Sequence, residues 1–95
     1  MSKLDSQNRL LIPRHLLELS NTNFDEEIRL YFIGKQIFLD NPSNRNRRTC
    51  CLGSIKLDEK YRFILPKNAR EFLNINQQST LIFYVRCNKI SFRKS

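Results

Sequence analysis

Apolar residues in this chain come in short bursts broken by polar turns, and no burst exceeds the five residues 81–85. Such spacing predicts short strands rather than long helices. The bursts NRLLI (residues 8–12) and YRFIL (61–65) each read as a strand entered through a turn, DSQN or DEKY. A shorter strand is expected before each turn, around Lys3 and Leu4 and at residues 55–57. Pro13 and Pro66 come next, with the fixed backbone angle that suits a first helical position. Apolar residues then recur at Leu16, Leu17 and Leu19, or at Ala69, Phe72 and Leu73, which fits a helix of about two turns. Asn21 or Asn74 would end it, since Asn tolerates the left-handed conformation. EIRLYFI and TLIFYVR then lead to turns at Gly34-Lys35 and Cys87-Asn88, and QIFLD and KISFR return as partner strands. The order is β-β-α-β-β, read twice.

The doubling is literal. Shifted by 53 residues, positions 1–42 align with 54–95 without a gap, and ten pairs are identical, against about two or three expected by chance. The identities include Lys3/Lys56, Asp5/Asp58, Arg9/Arg62, Pro13/Pro66 and Tyr31/Tyr84, and many other pairs keep their character, as Leu10/Phe63 and Ile12/Leu65 do. Residues 43–53 read as the connector between repeat 1 (1–42) and repeat 2 (54–95). A half of this size has apolar hairpin faces and nothing to cover them. One shared core with internal pseudo-two-fold symmetry is therefore expected, rather than two separate beads.

The 95 residues leave room for a single domain, and seven Phe and three Tyr are enough to furnish its core. The net charge is +8 and the sequence pI about 9.9, which makes a polyanion the default partner. The charge is unevenly divided: repeat 1 nets −1, the connector +3 and repeat 2 +6. No stretch is apolar enough for a spanning helix or a signal peptide, so a cytosolic, nucleoid-associated protein without membrane contact is expected. Three cysteines without a CxxC pattern point to reduced thiols: Cys50 and Cys51 read as packing residues or incidental thiols, and Cys87 stands apart. The lone His15 reads as an exposed polar residue, and nothing suggests a catalytic set, a metal site or a cofactor. An enzyme is the least supported class.

The segment GSIKLDEKYRFILPKNAREFLNI (residues 53–75) resembles the signature of the SpoVT/AbrB swapped-hairpin superfamily. That signature runs strand, Asp, short turn, Arg, apolar strand, Pro, then a short helix with basic residues. KLDSQNRLLIPRHLLEL repeats it in the first half. Two copies in one chain, each with a DxxxR element, are most similar to the tandem, MraZ-type arrangement. The resemblance implies a mainly β fold with short helices, a swapped-hairpin β-barrel made by the two repeats, and DNA binding as a transcriptional regulator or as the DNA-binding part of an antitoxin. The family pattern has Gly before the motif Arg, where this chain has Asn8 and Tyr61. Asn accepts a positive backbone angle and Tyr does so at a cost. Either the second turn is shaped differently, or Tyr61 is placed to contact a sugar or base.

The candidate DNA-binding residues are Lys3, Arg9, Arg14, Lys56, Lys60, Arg62, Lys67 and Arg70, with Asp5 and Asp58 orienting the two turn arginines. Two readings of each DxxxR element coexist. An Asp–Arg pair can simply fix the turn, or it can hold a guanidinium ready for phosphate or base edges. Lys67 and Arg70, three apart, share a helix face that is either solvated or tracks a phosphate backbone. Arg45, Arg47 and Arg48 form either a groove-reaching arm or a soluble linker. Phe32, Phe38, Phe63, Phe72, Phe83 and Phe92 lie in alternating runs and are assigned to the core.

The leading expectation is a sequence-selective regulator of double-stranded DNA. An antitoxin that also binds a toxin is the weaker alternative, because such chains append an extended tail and this one stops at Ser95. An RNA-binding module lacks its aromatic or GXXG signature. The duplication either replaces a homodimer or builds a larger homo-oligomer.

Overall fold

The computed structural model describes residues 2–42 and 50–95. Its elements are β1 (Arg9–Leu11), α1 (Arg14–Leu19), β2 (Ile28–Ile33), β3 (Gln36–Asp40), β4 (Cys50–Ile55), β5 (Arg62–Ile64), α2 (Lys67–Leu73), β6 (Leu81–Arg86) and β7 (Lys89–Lys94). The protein is thus mainly β with two short helices.

Both helices start directly after a proline, Pro13 at φ −57° and Pro66 at φ −58°, as the missing proline N–H and its fixed angle allow. They end differently. Asn74 takes the left-handed conformation (φ 54°), and its N–H and that of Ile75 close on Glu71 and Arg70 carbonyls. The first helix instead stops at an extended Ser20, so Asn21 does not serve as its left-handed terminator. The hairpin turn at Cys87-Asn88 has both residues at positive φ (53° and 66°), the twist that matches flanking strands in a two-residue loop.

The strands form two open sheets, one of two strands (β1-β5) and one of five in the order β4-β2-β3-β7-β6. The expected closed barrel is not what the strands make, because β4 and β6 end the larger sheet at opposite edges instead of pairing with each other. Two further expectations change. Residues 50–53 belong to β4, which pairs with β2, so the connector's last part is strand. The strand expected around Lys3 and Leu4 reduces to a single bridge between Ser2 and Leu81. Arg45, Arg47 and Arg48 lie outside the described residues.

The registers repeat under the 53-residue shift. Arg9 faces Ile64 and Leu11 faces Arg62 in the β1-β5 ribbon, with Leu10 opposite Phe63 at its centre. Ile37 faces Phe92 and Leu39 faces Ile90 between β3 and β7. Ile55 pairs with Ile28, and its counterpart Ser2 bridges Leu81, the counterpart of Ile28. Each repeat therefore supplies its first residues to the other repeat's strand. Each repeat keeps a hairpin of its own, β2-β3 or β6-β7, and the β3-β7 pairing joins the two into one sheet.

The core follows from the alternation. Leu10 and Phe63 point inward from the ribbon and are 0% and 1% exposed, and they join Leu30, Ile37, Leu39, Leu81, Ile90 and Phe92 in one cluster drawn from both repeats. Phe63 meets Phe92 with ring centroids 6.2 Å apart, which fastens the ribbon to the five-stranded sheet. Full withdrawal of such a ring contributes roughly 1.5–3 kcal/mol. Phe72 on α2 packs on Phe32 of β2 at 4.5 Å. Of the six phenylalanines assigned to the core, Phe38, Phe63 and Phe92 are buried, while Phe32, Phe72 and Phe83 pack against its margin. Cys51 is exposed on β4, not packed.

Candidate nucleic-acid interface

The ribbon places two copies of one turn at its two ends. In the first, the Asp5 carboxylate accepts hydrogen bonds from the N–H groups of Gln7 and Arg9, while Asp5 Oδ2 receives Arg9 Nε at 2.7 Å. In the second, Asp58 accepts from the N–H groups of Lys60 and Arg62, and its Oδ2 receives Arg62 Nε at 2.9 Å. Backbone bonds complete both turns in parallel, Asn8 N to Asp5 O and Tyr61 N to Asp58 O. The Asp at the head of DxxxR is thus an acceptor for its own turn, and the arginine four residues on is the donor that fills its remaining oxygen.

The hydrogen-bond geometry sets the charge states. The Arg9 N–H holds the Asp5 carboxyl below the ordinary carboxylate range; desolvation opposes it, and the Arg9 side chain and Gln7 N–H restore the balance downward. Asp58 is lowered in the same way, first by the Arg62 N–H, then by Lys60 N–H and the Arg62 side chain. Each arginine spends its Nε on the carboxylate, and its two Nη groups make no hydrogen bond to any described residue. Two guanidinium ends are left oriented and available.

Tyr61 takes φ 61°, against 60° for Asn8. The second turn is therefore not shaped differently: it keeps the same backbone, and Tyr61 carries the strain of a left-handed non-glycine residue. Its side chain is 42% exposed.

Backbone bonds between the repeats bring further cations to the ribbon. Ile12 N donates to Tyr61 O, which seats the start of α1 on the second turn, and Leu65 N donates to Asn8 O, which seats the start of α2 on the first. Arg14 and Lys60 consequently line one shallow groove of about 510 Å³ with Leu11, Pro13, Tyr61 and one acid, Glu59. Lys67, the counterpart of Arg14, begins α2 at the other end and is exposed. Arg9, Arg14, Lys60, Arg62 and Lys67 are the five candidates gathered around the ribbon.

The remaining three are placed elsewhere. Lys56 lines a groove of about 470 Å³ with Asp25, Glu26 and Glu27, so its charge faces acids of the other repeat. Lys3 is exposed beside the Ser2 bridge, and among the described residues no contact joins it to the ribbon cations. Arg70 is half-buried, and its Nε is enclosed without a hydrogen-bond partner among the described residues. His15 is exposed, as expected of a polar surface residue.

Two features went unsingled in the sequence. Lys35, Arg93 and Lys94 surround Phe72 and Asn74 in a second basic hollow of about 350 Å³, with Lys35 Nζ 5.5 Å from the Phe72 ring centre and Lys94 Nζ donating to Asn74 O. The charge surplus of repeat 2 was its only signal. On the outward face of the ribbon stand Leu11 and Ile64, 54% and 64% exposed. Among the described residues no cluster of His, Cys, Asp and Glu could hold a metal, and no helix is long and apolar enough to cross a membrane.

A scan against protein-family models gives no match, and comparisons with curated proteins and with solved structures give no significant similarity.

Proposed function

We propose that this chain is a sequence-selective, double-stranded DNA-binding protein acting as a transcriptional regulator, built on the interleaved plan of the SpoVT/AbrB swapped hairpins. It binds rather than catalyses. The observation that carries the reading is the convergence of Arg9, Arg14, Lys60, Arg62 and Lys67 on a two-stranded ribbon whose two arginines are held by Asp5 and Asp58. A two-stranded antiparallel ribbon fits the major groove of B-DNA, and fixed guanidinium forks suit phosphate oxygens or guanine edges. The exchange of strands between repeats, Ile55 onto β2 and Ser2 onto β6, supports the swapped-hairpin plan. It also makes the two arginines symmetric partners, as an inverted-repeat DNA site requires.

Phosphate neutralisation would supply most of the affinity. Five cations at phosphates give a slope of log affinity against log salt of about −4 to −5. Fluorescence anisotropy of a labelled duplex across a salt series measures it, with RNA of the same length as the comparison. A flat salt dependence, or preference for the RNA, rejects the proposal.

A further inference from the structure

The ribbon's outward face is a chequer of charge and hydrocarbon. Leu11 lies directly opposite Arg62, and Ile64 directly opposite Arg9. Both apolar side chains are more than half exposed, whereas their neighbours in sequence, Leu10 and Phe63, are fully buried. A strand shows its residues to alternate faces, so Arg9, Leu11, Arg62 and Ile64 share one side. No described element covers that side.

The charges decide what can. Arg9, Arg14, Lys60, Arg62 and Lys67 outnumber Asp5, Asp58 and Glu59 around this face, so a second copy laid on it would set a net positive surface against its like. A polyanion removes that conflict, because the cations go to phosphates and the hydrocarbon between them is pressed on the floor of the groove. In the major groove the apolar feature on that floor is the thymine C5-methyl. We infer that Leu11 and Ile64 are specificity-determining residues that read thymine methyl groups in duplex DNA. The inference rests on the DNA-binding reading above.

The symmetry fixes the pattern they would read. Leu11 and Ile64 are equivalents under the 53-residue shift and sit diagonally across the ribbon. Diagonal neighbours are roughly 7–8 Å apart, about two base-pair rises of 3.4 Å. Two thymines on opposite strands, about two steps apart across a local dyad, are the expected signature. Leu11 and Ile64 contribute nothing to the core from these positions, so replacing them by serine leaves the fold intact, which a thermal melt verifies.

The test begins with selection of duplexes from a random-sequence pool by the full chain. The recovered sequence is then resynthesised with deoxyuridine at each thymine, and binding is followed by anisotropy. Deoxyuridine keeps the base pair and deletes only the methyl. The expected result is a loss of roughly three- to fourfold for each methyl removed at one symmetric pair of positions. A Leu11→Ser/Ile64→Ser variant should bind the thymine duplex more weakly by about the combined factor and should not distinguish thymine from deoxyuridine. Equal wild-type affinity for both duplexes overturns the methyl reading and leaves DNA binding standing. A variant that weakens yet still discriminates also overturns it. A change of oligomeric mass in the serine variant, by sedimentation, assigns the face to a second copy and overturns it too. Failure to select any sequence, together with salt-independent binding, removes the DNA reading itself.

Discussion

The turn that enters β1 and the turn that enters β5 share a backbone and differ in what they display. Both hang on an Asp that collects two turn N–H groups and one arginine Nε, and both place a left-handed residue before that arginine. Around that common frame repeat 1 has Ser6, Gln7 and Asn8 where repeat 2 has Glu59, Lys60 and Tyr61. Elsewhere the contrast reverses. Repeat 1 buries Asp40 and Asn41, the former 3.0 Å from Lys89 Nζ and the latter bonded to Asn23 and Glu27, whereas repeat 2 has exposed Arg93 and Lys94 at those positions. Duplication has kept the hydrogen-bonded frame and divided the labour, with structural polar contacts concentrated in one copy and display of charge in the other.

The largest expected effect separates the copies through Lys89 and its counterpart Gln36. Lys89 is mostly buried beside the fully buried Asp40 and also donates to Asn21 Oδ1. Lys89→Met removes one of the groups that hold the buried Asp40 carboxylate, which also accepts from the Asn41 N–H, and should cost about 1.5–3 kcal/mol in urea unfolding. Gln36 makes one long contact with Arg86 at 3.4 Å, so Gln36→Met should stay within about 0.5 kcal/mol. Equal losses would erase the contrast.

Next in size is the contribution of each turn arginine to duplex binding. Arg62→Ala should weaken the complex by about 1–3 kcal/mol in an anisotropy titration. Arg9→Ala should weaken it less, because its turn lacks a neighbour equivalent to Lys60. A larger loss at Arg9 would place the DNA on the other end of the ribbon.

The third comparison exchanges the left-handed residues. Tyr61→Asn gives repeat 2 the side chain that repeat 1 already uses at the same φ, and should raise stability by about 1 kcal/mol. Asn8→Tyr should lower it similarly, with thermal melts as the readout. A gain in stability accompanied by weaker DNA binding would show what the strained tyrosine is for.

The smallest effect is in acid. Asp5 and Asp58 both have folded values below their ordinary range, so their stabilising contribution is complete above the unfolded value and is lost as pH falls through the folded one. The melting temperature of the wild-type chain should therefore drop more steeply below about pH 4 than that of an Asp5→Asn/Asp58→Asn variant. Parallel curves would show that the turn carboxylates do not couple to folding.

Much of this was legible in the residues. The 53-residue repeat, the prolines that open both helices, the cross-repeat core and the Asp–Arg turns were all readable, because each depends on local chemistry or on a self-match. The edge partner of β2 was hidden, since Cys50, Cys51, Leu52 and Gly53 do not alternate like a strand. The register there slips by one residue, and Gly53 sits at φ 133°. Which apolar residues of RLLI and RFIL face outward was hidden too: a continuous apolar run does not declare its faces until the ribbon packs on Phe92. Lys56 was grouped with the turn from which it is two residues away, while the acids that face it lie some thirty residues upstream. Arg70 read as a surface cation from its place three residues after Lys67, although the apolar Leu17 at its counterpart, which packs against the core, marks the site as enclosed.

One consequence of the open five-stranded sheet concerns how these molecules treat each other. Beyond the Ser2 bridge at Leu81, the outer rim of β6 has no ladder partner among the described residues, and such a rim is a template for strand addition. Arg86 at its end and Arg93 and Lys94 on the adjacent strand give two approaching rims the same sign. Mutual repulsion of that kind fades as ions shorten its range. Concentrated protein should therefore stay dispersed in dilute buffer and begin to join side by side in molar salt, the reverse of its expected grip on nucleic acid.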